Sequence, residues 1–215
     1  MRVNFWIKTW DIKNIGFHRT DIHPVLEKYW PPMETDTSVL VPLCGKSKDL
    51  LWLEEHGLDV IGVEFVESAV LDFFRENGLS WYETEQDGHR CLCAGERNIR
   101  IFVADFIQLA GSYSGEPIKG FYDRAALVAL PEDMRGPYVD ACRKFLAPSP
   151  RGLLVSCEYD ANFMEGPPFS VPREEVERLW TGHLRLVEQV DVLSEMPRAV
   201  GLGVPRLEEF FWIFE

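Results

Sequence analysis

The sequence predicts an α/β fold in which a mostly parallel sheet carries helices on both of its faces. Short runs rich in Val and Leu alternate along the chain with segments of helical periodicity. These runs are apolar throughout, as expected for strands buried on both faces. With 215 residues, of which 46% are hydrophobic, the chain suits a single domain with a sizeable core.

Two strand and helix pairs open the predicted order. Residues 38–43 form the first strand, and Pro42 fits only near its end because proline lacks the N–H that a sheet uses. A helix follows over residues 46–56, with Gly57 as its C-terminal stop. Residues 59–64 form the second strand. The helix after it has its apolar residues at helical spacing, namely Val66, Ala69, Val70, Phe73 and Phe74, and it closes at Asn77-Gly78.

The rest of the chain continues the alternation, with no repeat and no evident linker. The predicted elements are a hairpin of residues 90–93 and 99–103, a strand at 120–123, a helix at 131–146, a strand at 152–157, a helix at 171–180, and strands at 184–190 and 207–214. Gly136-Pro137 should break or bend the helix at 131–146 near its start.

The turn after the first strand resembles a nucleotide-binding loop, because VLVPLCGKS ends in Gly-Lys-Ser. A phosphate-cradling loop reads GxxxxGK[ST] and needs a glycine at position 40, where this chain has Leu40. Only Gly45 stands in the turn, so the G-x-G-x-x-G fingerprint for a dinucleotide is also missing. The turn is therefore predicted to hold a ligand without phosphates.

Gly45 and Glu64 indicate the ligand. A parallel sheet binds ligands at the carboxyl ends of its strands, and both residues fall there. Gly45 lets backbone approach a ligand closely, and Glu64 follows it by close to the ~20 residues that separate a glycine turn from a ribose-binding acid. An adenosine without phosphates is most simply S-adenosylmethionine. We expect Asp105 to accept from the adenine amino group and Phe106 to cover the ring; a solvated acid or a helix cap is the alternative for Asp105.

Several motifs together resemble the thiopurine S-methyltransferase family of bacterial type. They are PLCGK (42–46), VIGVE (60–64), FYDRAALVALP (121–131), EYD (158–160) and GPPFSVP (166–172), with an aromatic pattern at the N-terminus. The resemblance covers nearly the whole chain. It implies a Rossmann-like methyltransferase fold with a seven-stranded sheet, and methyl transfer from S-adenosylmethionine to the sulfur of a small, thiopurine-like thiol. It also implies possible use of selenium or tellurium compounds.

The resemblance further implies roles for individual residues. Family positions that bind the cofactor match Trp10, Leu43, Glu64 and Arg124, with Asp105 and Phe106 at the adenine edge. Phe17 matches a position that faces both cofactor and acceptor. The family also places an arginine near the acceptor in a late loop, and Arg198 is the nearest candidate, although the local alignment slips there.

The expected chemistry requires little of the protein. A sulfonium methyl is already activated and an ionised thiol is a good nucleophile, so placing the two sulfurs matters more than a general base. Arg124 would favour the thiolate as a nearby cation. The alternative for Arg124 is an ion pair with Asp123 or a neighbouring carboxylate.

Composition limits the kinds of binding partner that we expect for the chain. A net charge of −13 and a pI near 4.9 oppose binding to nucleic acid or anionic membranes. Five cysteines, an odd number, fit reduced thiols, and with no secretion signal or membrane span we expect a cytoplasmic monomer. The spacing of His18 and His23, and of Cys91 and Cys93, does not gather enough ligands for a metal site.

Aromatic residues mark the N-terminal segment, which we interpret as a lid over residues 1–30. Trp6 and Trp10 lie one helical turn apart ahead of the first strand. Ordinary core packing is the alternative. Two other classes of protein also stay open at this point: a non-catalytic protein that binds S-adenosylmethionine, and a nicotinamide-dependent oxidoreductase.

Overall fold

A nine-stranded sheet crosses the described part of the chain and confirms the α/β prediction. The computed structural model describes residues 6, 8–10, 18–182 and 184–215. The strands are β1 Ser38–Pro42, β2 Asp59–Glu64, β3 Trp81–Gln86, β4 His89–Ala94, β5 Ile99–Val103, β6 Ile118–Arg124, β7 Leu146–Tyr159, β8 Leu184–Asp191 and β9 Leu207–Phe214. Their order across the sheet is β3-β4-β5-β2-β1-β6-β7-β9-β8.

The five central strands are parallel. β1 pairs with β2 on one side and with β6 on the other, and β5 and β7 extend the parallel part outwards. β9 then pairs antiparallel with both β7 and β8. The chain leaves β1 for β2 on one side and later returns to β6 on the other, which makes the end of β1 the point where strand order reverses.

A hairpin brings the sheet to nine strands rather than the predicted seven. β3 and β4 pair antiparallel around Asp87-Gly88, both at positive φ, as a two-residue hairpin turn requires. Without this hairpin the sheet has seven strands. The predicted pairing of residues 90–93 with 99–103 is confirmed by β4 and β5. β3 escaped prediction because its sequence WYETEQ is polar and mostly exposed at the edge of the sheet.

Helices cover both faces. They are α1 Pro24–Tyr29, α2 Asp49–Glu55, α3 Glu67–Glu76, α4 Phe106–Ser112, α5 Glu132–Phe145, α6 Arg173–Leu179 and α7 Pro197–Gly201, with 3₁₀ turns at Leu127–Ala129 and Leu193–Glu195. The helix α2 begins three residues later than predicted, because residues 43–47 form the turn after β1. Of the described helices, none is both long and apolar enough to cross a bilayer.

Proline does not divide α5, so the break that was one of the two predicted outcomes, break or bend, does not occur. Pro137 lies inside the helix, which continues from Glu132 to Phe145. Because proline has no N–H, the helix lacks one backbone hydrogen bond at Pro137. Tyr138, Val139 and Cys142 are all buried against the sheet, and this burial holds the helix together.

β1 shows why the sheet must be covered on both faces. Leu40 belongs to the core cluster on one face, whereas Val39 and Val41 belong to the cluster on the other. All three side chains are almost fully buried. A strand with this pattern cannot lie at a solvated face, so the core consists of two apolar layers with the sheet between them.

Candidate functional site

A cleft opens at the carboxyl edge of the parallel strands, beside the end of β1. It encloses about 570 Å³, counting the part open to solvent. Its lining comprises Trp6, Trp10, His18, Leu43, Cys44, Gly45, Lys46, Ser47, Glu64, Phe65, Arg124, Ala125 and Ala129. Five of the predicted site residues, Trp10, Leu43, Gly45, Glu64 and Arg124, are therefore brought together.

Glu64 ends β2 and fixes the turn that follows β1. Its Oε2 accepts a hydrogen bond from the Gly45 N–H at 3.0 Å, and its Oε1 accepts one from the Val66 N–H at 2.8 Å. Leu43 and Gly45 both have positive φ, at 47° and 53°. For Leu43 this backbone conformation is costly, and such strain occurs where a site demands it.

Burial governs the charge of Glu64. The side chain is only 6% exposed, and desolvation raises the pKa of its carboxyl to about 7, against the opposing effect of the backbone donors. Each carboxylate oxygen has a second lone pair for a further donor. Two adjacent ribose hydroxyls would provide such donors, as the sequence predicts for this residue.

Trp10 lines the cleft and lies against the turn after β1. Residues 8–10 are helical, and Trp10 packs with Val66 and Ala69 at the start of α3. A Cβ built on Gly45 would lie 2.8 Å from Cζ2 of Trp10, so the ring rests directly on the glycine. Any other residue at position 45 would displace it.

The remainder of the predicted lid divides into two parts. Phe17, which was expected to face both cofactor and acceptor, lies outside the described residues. Residues 24–29 form α1, whose Val25 and Leu26 are buried in the same apolar layer as Leu50. Trp6 and Trp10 are therefore the described residues on which the lid hypothesis depends.

Arg124 ends β6 and faces the cleft. The predicted alternative was an ion pair with Asp123 or a neighbouring carboxylate. Its Asp123 part is wrong, because Asp123 is buried and accepts from the N–H groups of Ala126 and Leu127 and from the hydroxyl of Tyr138. The positive charge of Arg124 acts on Glu209. Burial raises the pKa of Glu209, and Arg124 opposes part of that rise. Arg124 therefore lines the cleft while Asp123 is engaged elsewhere.

Sequence reasoning missed His18 and Lys46. Burial and the charges of Lys46 and Arg124 lower the pKa of His18, which favours its neutral imidazole. Lys46 donates to both carboxylate oxygens of Glu76, at 2.6 and 2.8 Å, and this pair joins the turn after β1 to α3. His18 follows the Gly-Phe dipeptide of the N-terminal pattern, and that position was the available signal for it.

Asp105 and Phe106, which were expected at the adenine, do not line the cleft. Asp105 caps α4, since its Oδ1 accepts from the N–H groups of Ile107 and Gln108 at 3.0 and 3.1 Å. This confirms the helix cap that was the alternative for Asp105, and Asp105 does not line the cleft although it follows β5, whose Val103 pairs with Glu64. The prediction for Phe106 is wrong: its ring is buried 5.3 Å from Tyr138 and 5.2 Å from Phe145 by centroid, and it packs in the core.

Arg198 holds a loop and does not line the cleft. It donates to the carbonyl oxygens of Glu165 and Pro167 at 2.8 and 2.9 Å. That loop continues to Phe169, whose N–H donates to the carbonyl of Val128 beside the cleft. Arg198 therefore positions this loop through its two hydrogen bonds.

Comparison with known proteins adds to this geometry. A family model described as thiopurine S-methyltransferase (TPMT) matches residues 1–215. The thiopurine S-methyltransferase of Pseudomonas syringae pv. syringae (strain B728a) is 37% identical, covering 100% of this chain and 98% of the relative. The thiopurine S-methyltransferase of Pseudomonas fluorescens (strain Pf0-1) is 42% identical, covering 97% of this chain and 96% of the relative.

A solved structure shares the fold. It is the 1,6-didemethyltoxoflavin-N1-methyltransferase of Burkholderia thailandensis with bound 1,6-didemethyltoxoflavin and S-adenosylhomocysteine. The TM-score is 0.61 at 16% sequence identity, and the match covers 99% of this chain and 86% of that chain. At this identity the likeness is one of fold.

Replacing Glu64 with Ala should weaken S-adenosylmethionine binding by about 1–3 kcal/mol, because hydrogen bonds to a charged acceptor are lost. Calorimetric titration of the wild-type and variant proteins measures this. ATP and NAD, titrated in parallel, should bind little because the turn offers no phosphate cradle. Unchanged affinity in the variant would contradict the ribose assignment.

Cofactor affinity should also depend on pH through Glu64. Hydroxyl donors favour the ionised carboxylate, so affinity should be full above pH 7 and fall as pH drops through about 7, approaching tenfold per unit. Titrations from about pH 6 to pH 8 test this. Glu64→Gln should bind more weakly and lose the pH dependence; a wild-type affinity that stays constant over this range would argue against the elevated pKa.

Trp10→Ala should raise KM for cofactor and acceptor with a small change in the Tm of the ligand-free protein, if Trp10 acts as a lid. Trp52 is the matched control, since both tryptophans are 8% exposed and Trp52 stands on α2 outside the cleft lining. Trp52→Ala should lose about 3–5 kcal/mol of stability and keep its KM values. If Trp10→Ala behaves as Trp52→Ala does, Trp10 is ordinary core.

Proposed function

Because the chain belongs to the thiopurine S-methyltransferase family, and is thereby an S-adenosylmethionine-dependent S-methyltransferase, we propose that its acceptor is a small aromatic or heterocyclic thiol. The observation that carries this proposal is Arg124 at the cleft, with its neighbour Asp123 engaged elsewhere. A guanidinium there favours an anionic acceptor such as a thiolate.

The cleft suits the cofactor. Glu64 would hold the ribose, the backbone of Leu43 and Gly45 would lie against the ligand, and Asp105 would meet the adenine amino group. The missing Cβ of Gly45 and the absence of a phosphate-binding turn fit an adenosine that carries no phosphate. S-adenosylmethionine, when bound, supplies a methyl group already activated by a positively charged sulfur.

The residues of the chain then have modest tasks. Trp6 and Trp10 exclude water above the cleft, which strengthens electrostatic interactions inside it. Arg124 lowers the free energy of the bound thiolate, and the turn after β1 holds its geometry through Glu64. None of these tasks requires the enzyme to take a proton from the acceptor during transfer.

Alternative acceptors and classes follow from the same residues. Selenolates and tellurium compounds are soft nucleophiles like thiolates, so they belong in the same substrate panel. Membership of a methyltransferase family argues against both the nicotinamide-dependent oxidoreductase and a binding protein without catalysis.

The proposal is tested with a series of aromatic thiols of graded pKa, with catechols and amines of similar shape as controls. The rate should follow the ionised fraction of each thiol, and the controls should react little. In Arg124→Gln the pH of half-maximal rate should rise by about 1 unit, because a cation that favours the bound thiolate is gone. Methyl transfer is measured by mass spectrometry of the product.

A profile that tracks one enzyme group and ignores the pKa of the thiol would replace this account with base catalysis. Arg143→Gln is the control for a general charge effect, because Arg143 is exposed on α5 and pairs with Asp140. It should leave the profile unchanged.

A further inference from the structure

Two thiols meet on the sheet outside the cleft. Cys91 and Cys93 are two residues apart on β4, so their side chains point to the same face. Their sulfur atoms lie 4.0 Å apart. Cys91 is 1% exposed and Cys93 is half-buried, and neither lines the cofactor cleft.

An arginine accompanies the pair. Arg100 on β5 is the cross-strand partner of Cys93, and its positive charge lowers the pKa of Cys91 against a larger effect of burial. The Nε of Arg100 is buried and has no hydrogen-bond partner. Buried donors are ordinarily paired, so this N–H is suited to an acceptor not supplied by the described residues.

We propose that Cys91 and Cys93 form a two-coordinate site for a soft monovalent cation of the Cu(I) type. Thiolate ligands select such ions. In the described part of the chain, no three or more His, Cys, Asp or Glu side chains gather to hold a metal. An ion that demands four ligands, as structural Zn²⁺ does, is therefore poorly served here.

The spacing of the sulfurs favours a cation over a disulfide. With the zinc–thiolate bond of about 2.3 Å as a guide, two bonds on opposite sides of an ion place two sulfurs about 4.6 Å apart. The pair would open by roughly 0.6 Å to reach that distance. A disulfide of about 2.05 Å needs closure by about 2 Å, between Cα atoms that extended backbone holds near the upper limit for such a bond.

The proposed step balances in charge and protons. Two thiols release two protons to solvent and two sulfur–metal bonds form, with no change of oxidation state. The bis-thiolate complex of a monovalent ion has one net negative charge, and the guanidinium of Arg100 offsets it. The Nε–H then gains a charged acceptor.

The test is a competitive titration of the reduced, full-length protein with Cu(I) under anaerobic conditions, against a chromophoric Cu(I) chelator. Native mass spectrometry gives the stoichiometry, which should be one ion per chain. Cys93→Ser should lower the affinity by more than about 100-fold, and Arg100→Gln by about 10- to 100-fold as an outer partner of the ligands.

Cys157→Ser is the matched control, because Cys157 is also buried and burial likewise raises the pKa of its thiol to about 12. It should bind Cu(I) as the wild type does. A measurement on the wild type alone guards against a variant that fails to fold: Cu(I) should protect Cys91 and Cys93, and not Cys157, from alkylation as mapped on peptides.

Equal affinity in Cys93→Ser, or no selective protection of the pair, would overturn the proposal. So would loss of two hydrogen atoms from the pair with no ion bound, since that result assigns these thiols to a disulfide. Neither outcome bears on methyl transfer.

Discussion

The carboxylate of Glu64 connects the ends of two neighbouring strands, and the arrangement of the cleft follows from it. One oxygen holds the turn after β1 through Gly45, and the other holds the start of α3 through Val66. A neutral side chain of similar size could make one of these bonds with its acceptor oxygen but not both. The turn, the helix and the expected ribose contact thus depend on one buried group.

A related arrangement recurs at the edge of the sheet. Asp105 after β5 and Asp123 at β6 each accept from two backbone N–H groups of the following segment, whereas Glu64 accepts one from the segment after β2 and one from the turn after β1. Acidic side chains at helix starts and tight turns satisfy donors that would otherwise be orphaned. Asp123 is thereby withdrawn from Arg124. These hydrogen bonds fix the carboxyl edge of the sheet, and the positive charge of Arg124 is left to act on the cleft.

The sequence was most informative where burial decides structure. β1 and β2 could be predicted because their residues are apolar on both faces, and Glu64 because it ends such a strand. β3 could not, since an exposed edge strand has no apolar run to reveal it, although the Asp87-Gly88 turn was a usable signal. Phe106 was misassigned because chain position fixes where a side chain begins and not which way it points.

Position alone also misled for the arginines. The sequence places Arg198 in a late loop, whereas it lies on α7 and two carbonyl groups engage its guanidinium. Arg124 was placed correctly, but only the hydrogen bonds of Asp123 show that these two neighbours are not partners. Local sequence cannot separate such cases, because both depend on contacts between distant segments.

The contact of Trp10 with Gly45 couples the N-terminal segment to the turn after β1. A Cβ at position 45 would stand only 2.8 Å from the indole of Trp10, which is too close for an ordinary contact. Substitutions at the two positions should therefore fail to add, because each perturbs the same interface. The coupling is reciprocal. If an ordered Trp10 indole strengthens ligand binding, ligand binding stabilises the ordered N-terminal segment by the same free energy. Cofactor retention and N-terminal order would then vary together among variants of this chain, even those altered far from the reacting atoms.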